Sequence, residues 1–192
     1  WTTTPWTLPS NSFLAVWPEI YYCMVYDKES HEYYILWESL LKKYYKNSED
    51  YLLINKVKWA NLTWTFYKPL FEYINQSKIP AEYKDRYFQI IPAEYVSTED
   101  GTWIVHIAPS FGAEDFDAVA QIFPREFARE WLFLPVNDYG EFTDEVPDYK
   151  WRRVYDVNKD INARLKEEWK LVLLQSHNHS YPHYWRCHTA LI

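Results

Sequence analysis

The sequence predicts a mixed α/β fold, a β-barrel-like arrangement of short strands with flanking helices. Three observations carry this. Short β-rich runs recur along the chain between polar turns, two segments place apolar residues at helical spacing, and no repeat or long linker interrupts the 192 residues. A chain of that length buries one substantial core, so a single domain over residues 1–192 is expected.

Residues 20–26 and 33–36 are rich in Tyr, Val and Ile and flank Asp27-Lys28-Glu29-Ser30-His31-Glu32, the pattern of a hairpin with a polar loop. Residues 38–45 suit a short helix, and 51–57 a further strand. Residues 88–91 and 104–107 read as strands. From Gly112 to Phe123, Phe116, Val119, Ala120 and Phe123 recur every three or four residues, a helical spacing. A second helix is expected over 157–168, where Val157, Ile161 and Leu165 share one face and Asp156 precedes as a cap. Residues 171–174 are expected to begin a last strand.

Composition excludes several functions. Hydrophobic content of 48% and charged content of 24% are those of a globular chain. No apolar run of about 18 residues offers a membrane span. The opening Trp1-Thr2-Thr3-Thr4-Pro5 lacks the basic and apolar parts of a secretion signal. Cys23 and Cys187 build no disulfide framework, so a cytoplasmic location is expected. A net charge of −7 argues against a broad face for duplex nucleic acid, which needs basic surface. A pocket that stacks a few terminal nucleotides on aromatic rings stays compatible with it.

Glycine is scarce. The chain holds 3, where average usage of roughly 7% gives about 13. It holds 11 tryptophans, several placed where turn chemistry asks for glycine. Trp169 follows a helical run in this way, and Trp17, Trp37, Trp59, Trp64 and Trp151 sit in comparable places.

Three segments carry candidate chemistry. In Thr2-Thr3-Thr4-Pro5-Trp6-Thr7-Leu8-Pro9-Ser10-Asn11, clustered hydroxyls and one amide can fix a water and a carbonyl between two stiffening prolines. A threonine-rich strand end with a proline loop is the plainer reading. Around Ile104-Val105-His106-Ile107-Ala108-Pro109-Ser110-Phe111-Gly112-Ala113-Glu114-Asp115, a histidine ends a strand and a carboxylate falls in the first turn of a helix. His106 is a pocket-lining imidazole or a hydrogen-bonded structural one. Asp115 is an anion ready for an ammonium ion or a complement to the helix dipole. The third segment, with His177, His179, His183, Cys187 and His188, matches no common metal-ligand spacing, and no metal is expected there.

Together and in this order, the segments resemble the inserted editing domain of isoleucyl-tRNA synthetases. Thr2 to Asn11 is similar to that family's threonine-rich motif, Glu99 to Asp115 to its second editing motif, and His179 to Cys187 to the segment returning to the synthetic core. Valyl and leucyl relatives usually carry arginine where this chain has Trp6 and lack the pattern around His106, so the isoleucyl branch is favoured. The resemblance implies hydrolysis of valine mischarged on the tRNA for isoleucine, and of the valyl adenylate as a further substrate, with isoleucine rejected by size. It implies that Asp115 pairs with the α-ammonium group and that Thr4 and Asn11 hold the attacking water. Thr2 and Thr3 would contact the substrate, with Trp6 and His106 walling the side-chain pocket. The implied partners are the 3′ terminal adenosine of the mischarged tRNA and the rest of the synthetase. No cofactor is implied for this fragment; ATP and magnesium belong to a synthetic core whose signatures the chain lacks. It is expected to be excised from a larger enzyme and to have no ligase activity.

Some positions depart from the resemblance. Trp103 replaces a glycine near the expected adenosine approach, Tyr184 a frequent cysteine and Ala190 a usual proline. The alternatives are an intact editing fold obstructed by Trp103, or an aromatic-rich module binding carbohydrate or single-stranded nucleic acid through its 18 tyrosines and 11 tryptophans.

Overall fold

The computed structural model describes residues 1–75, 79–95, 102–130, 132–176 and 183–186, with 127–129 described in backbone only. A six-residue 3₁₀ turn, Pro5–Ser10, opens the chain, with a proline at its start where no amide donor is needed. It runs into β1 (Phe13–Val16). The tyrosine- and valine-rich runs then form β2 (Tyr21–Asp27) and β3 (Tyr33–Trp37) as an antiparallel hairpin. Its loop is tied by the Asp27 carboxylate, which accepts from the Glu29 and Ser30 amides at 2.9 and 2.7 Å.

A short 3₁₀ turn (Glu38–Leu40) and α1 (Leu41–Tyr44) occupy the stretch expected to be helical. After them come β4 (Tyr51–Lys58), α2 (Trp59–Leu62), α3 (Ala81–Lys84), β5 (Ile90–Pro92) and β6 (Ile104–Ile107). The apolar spacing after Gly112 becomes α4 (Ala113–Ile122), followed by α5 (Arg125–Glu130) and, near the end, α6 (Asn158–Glu167).

The strands form two three-stranded sheets. In the first, β1 lies centrally, parallel to β5 and antiparallel to β6, with Leu14 opposite His106. In the second, β2 lies between β3 and β4, both antiparallel to it. Tyr22, fully buried on β2, joins the two: its hydroxyl donates to the Trp103 carbonyl at 2.6 Å and accepts from the Trp17 amide at 3.1 Å. Burial raises its phenol above the ordinary range, so the hydroxyl stays a donor.

Two apolar clusters fill the interior. One joins both sheets through Phe13, Val16, Tyr22, Val25, Ile91 and Ile107. The other gathers Trp6, Phe142, Val146, Val154, Ile161 and Leu165 beneath α6.

Three local expectations change. Asp156 does not cap α6; it lies in a 3₁₀ turn (Val154–Val157) leading into the helix, whose cap position is Val157. Residues 171–174 form no strand among the described residues: Val172, Leu173 and Leu174 are exposed, without the partner that turns an apolar run into a ladder. Trp17, Trp37 and Trp59 do not take the left-handed backbone that suits glycine, whereas Trp64, Trp103, Trp151 and Trp169 do, with φ of 63°, 60°, 61° and 57°. Trp169 closes α6 in the way glycine commonly does, its own amide bonding Lys166 O and that of Lys170 bonding Leu165 O.

Candidate functional site

The threonine-rich start cannot form a regular helix or strand, because Pro5 and Pro9 lock φ and remove donors. Its side chains bond inward instead. Thr4 N donates to Thr2 Oγ1 at 3.0 Å, and Thr7 Oγ1 donates to the Thr4 carbonyl at 2.8 Å. The Thr4 hydroxyl is held loosely, its neighbours Thr2 Oγ1 and Thr7 Oγ1 each lying at 3.4 Å. Thr3 is exposed and Thr2 half-buried.

The turn meets β6 through one buried histidine. His106 Nε2 lies 3.0 Å from Thr7 Oγ1, and His106 Nδ1 lies 2.8 Å from Asn11 Nδ2. Asn11 Nδ2 also donates to the Phe13 carbonyl at 2.9 Å, while Asn11 Oδ1 accepts from the Tyr67 hydroxyl at 2.6 Å. These partners decide the tautomer of His106. The Asn11 amide is a donor to Nδ1, so His106 carries its hydrogen on Nε2 and gives it to Thr7. Desolvation lowers the imidazole to about 3, so it stays neutral throughout the physiological range. Tyr67, Asn11, His106, Thr7 and Thr4 therefore form one directed chain of hydrogen bonds.

Asp115 meets the chain just past the same end of β6. Its Oδ2 accepts from the Ala108 amide and its Oδ1 from the Tyr95 hydroxyl, each at 2.8 Å. Burial raises its pKa, against the lowering effect of these two donors. Gly112 makes room for this approach: a Cβ there would lie 3.3 Å from Asp115 Cγ. Residues 109–113 with Phe116 and Asp117 line an open cavity of about 330 Å³, with neither His106 nor Asp115 in its lining.

The expected site residues divide in three. Thr4, Asn11 and His106 belong to one network, and Asp115 is anchored two residues beyond His106. Thr2 supports Thr4, while Thr3 is exposed at the edge. Trp6, expected as a pocket wall, is only 3% exposed and packs in the second apolar cluster, edge-on to Phe111 at 4.8 Å and to Tyr155 at 6.0 Å. It reaches the cavity only through Phe111, because the proline-flanked turn points its ring inward, where its backbone amide also bonds Asn158. The cavity and the threonine cluster are thus neighbours along the chain, not one lined space.

Trp103 does not fill that cavity. Its ring stacks on Trp37 at 3.7 Å and tilts against Trp17 at 6.2 Å, at the seam between the sheets. Sequence reading missed Thr7, Tyr67 and Tyr95 as site residues. Thr7 was visible in the motif; the two tyrosines lie in unremarkable stretches, and only the fold brings them in. Of the histidine-rich end, His177, His179, Cys187 and His188 lie outside the described residues, which hold no metal-binding cluster. No helix among the described residues is long and apolar enough to cross a membrane.

No protein-family model matches the chain. It is similar over its whole length to isoleucine–tRNA ligases: 39% identical to the cytoplasmic one of Saccharomyces cerevisiae, 39% to that of Bdellovibrio bacteriovorus and 41% to that of Protochlamydia amoebophila. The chain spans 18%, 17% and 17% of these relatives. Among solved structures it superposes on GlLeuRS-CP1, with a TM-score of 0.65 and 13% identity, over 92% of this chain and 83% of that one. It also superposes on the editing domain of the P. falciparum cytosolic leucyl-tRNA synthetase, with a TM-score of 0.62 and 12% identity, over 88% and 76%. The fold expected from the sequence is therefore the fold observed.

Proposed function

This chain belongs to the isoleucyl-tRNA synthetase family as the counterpart of its inserted editing domain, and from that premise we propose that it hydrolyses valine mischarged on the tRNA for isoleucine. The observation that carries the proposal is the convergence at the C-terminal end of β6 of a fixed hydroxyl–imidazole network and a half-buried carboxylate.

In this reading Asp115 receives the α-ammonium group of the amino acid. A cation there satisfies a carboxylate whose burial otherwise disfavours its charge. The attacking water sits on the Thr4 hydroxyl, the loosest member of the network, and on the lone pair that Asn11 Oδ1 keeps beside Tyr67. Water oxygen bonds the ester carbonyl carbon, the bond to the ribose oxygen breaks, and a proton given up by the water passes to that ribose oxygen, leaving free valine and the ribose hydroxyl. No cofactor enters this scheme. His106 titrates too low to serve as a base; buried and not among the residues that line the cavity, it holds Thr7 and Asn11 in place. Thr2 and Thr3 approach the substrate from the turn, and Trp6 supports the pocket from behind Phe111. The tRNA's terminal adenosine and the remainder of the synthetase are the partners this scheme needs.

A second sieve is useful because one methylene discriminates weakly in any binding pocket, an argument for which isoleucyl-tRNA synthetase is itself the standard example. The test is release of amino acid from the two esters by excess purified chain. Valine should leave its mischarged tRNA faster than isoleucine leaves the correct one, and Asp115→Ala should abolish valine release with the fold retained. Equal rates for both esters would remove the size sieve, and an active alanine variant would remove Asp115 from the ammonium role.

A further inference from the structure

Asp115 is clamped at two points from two different parts of the fold. Its Oδ2 is held by the backbone amide of Ala108, just past β6, and its Oδ1 by the phenol of Tyr95, three residues past β5. The Tyr95 phenol is pushed far above the usual range, first by burial and then by the carboxylate beside it, so it acts only as a donor. A backbone amide alone lets a carboxylate swivel about its side-chain bonds. A second donor on the other oxygen fixes the plane and leaves each oxygen acceptor capacity for a cation.

Resting on the ammonium reading of Asp115, we propose that Tyr95 is a positioning residue that aligns this carboxylate for the free α-amino group. The discriminating experiment compares valyl-tRNA with the same tRNA carrying the α-hydroxy analogue, which has no ammonium. In Tyr95→Phe, hydrolysis of the valyl ester should fall roughly tenfold, mainly through KM, while the hydroxy ester reacts as with the parent chain. An equal loss on both esters, or no loss on either, overturns the role of Tyr95. A parent chain that treats both esters alike overturns the ammonium reading itself, and the two failures are thereby told apart.

A separate observation concerns the tryptophans. Among the described residues, seven other than glycine take positive φ, and four of them are tryptophan: Trp64, Trp103, Trp151 and Trp169. With 11 tryptophans among 192 residues, chance would put fewer than one there. A bulky side chain with such a backbone is an outlier, because its Cβ crowds the chain. Nor does burial offset the strain in three of the four: Trp64 is 49%, Trp151 57% and Trp169 91% exposed. Trp6 is the opposite case, 3% exposed, packed against two aromatic rings and free of positive φ. The chain is meanwhile short of glycine, with 3 in all.

We infer that positions 64, 103, 151 and 169 are glycine positions of this protein, occupied by tryptophan only through the reading of one codon. UGA is one base from the glycine codon GGA and one base from the tryptophan codon UGG, and a translation system that decodes UGA as glycine would resolve the conflict at all four sites. The gene's codons decide the matter: UGA at these four positions with UGG at Trp6 is expected, and UGG at the four overturns the inference. A second readout is thermal. Glycine at the exposed positions 64, 151 and 169 should raise Tm by roughly 2–4 °C each, and a fall in Tm at these sites would equally overturn it.

Discussion

The two sheets are built from the same number of strands and do different work. The first has strands of three and four residues, none of them exposed, and it meets Thr7 and Asn11 through the hydrogen bonds of His106. The second has strands of five to eight residues, and its edge strand β4 exposes most of its length. Short strands hand the chain quickly to loops, so side chains from the 3₁₀ turn, from β6 and from the start of α4 meet at one strand end. Long strands spend their residues on ladder bonds and present a face. What separates a chemical site from a scaffold here is therefore where polar side chains are buried and satisfied. Sheet size has little to do with it.

The strongest way to break that comparison is to remove its centre. His106→Ala leaves the Asn11 amide without one of its two acceptors and Thr7 without its donor among buried groups, and it opens a cavity where the ring lay. Unsatisfied buried groups and lost packing together cost about 2–4 kcal/mol, a fall in Tm of roughly 5–15 °C for a chain of this size. Valine release should be lost with it. A variant that melts like its parent would mean that the network is not buried as described.

The same residue sharpens the comparison through pH. His106 falls to about 3 in the folded chain, from an ordinary value near 6.5. In that window the unfolded chain takes up a proton that the folded one refuses, so stability is complete above about pH 6.5 and declines as pH falls. Between pH 7.5 and 5.5 the loss is about 1.4 kcal/mol, set by the unfolded value alone. His106→Gln, which cannot titrate, should flatten the slope when thermal melting is followed at both pH values. Asp115 acts in the opposite sense, its raised value favouring the folded chain as pH falls, but over the lower carboxylate range.

How far these features were legible depends on sequence distance. The threonine motif and the stretch from Ile104 to Asp115 were readable because each packs its chemistry into about a dozen residues. The hairpin of β2 and β3, and α4, followed from local periodicity and turn residues. Tyr67 and Tyr95 were not readable: Tyr67 meets Asn11 from 56 positions away, Tyr95 meets Asp115 from 20, and nothing in either neighbourhood distinguishes it from the other tyrosines. β1 was passed over because four apolar residues, Phe13 to Val16, show no alternation when both faces are buried. Residues 171–174 misled for the complementary reason, since an apolar run says nothing about whether a partner strand exists. The left-handed tryptophans were partly visible: Trp64, Trp151 and Trp169 stand where turn chemistry asks for glycine, but so do Trp17, Trp37 and Trp59, which lack that backbone, and only Trp169 follows a helix whose end the periodicity marked.

The smallest expected effect lies on the second sheet. Leu53 faces solvent on β4, 49% exposed, between the equally exposed Leu52 and Ile54. It pairs in register with Val25, next to an irregularity between Met24 and Val25 that loosens the local ladder. Threonine at this position brings the β-branched preference for extended backbone and keeps the same main-chain donors and acceptors. It gives up apolar contact only on a side already in water, so stability should change by less than about 0.5 kcal/mol, or about 2 °C in Tm. Valine release by Leu53→Thr should equal that of the parent. A large loss of activity from so mild a change would mean that β4 communicates with the strand end at His106, and the division of labour between the sheets would have to be abandoned. An unchanged rate, set beside the collapse expected of His106→Ala, places the chemistry on the first sheet and leaves the second as its support.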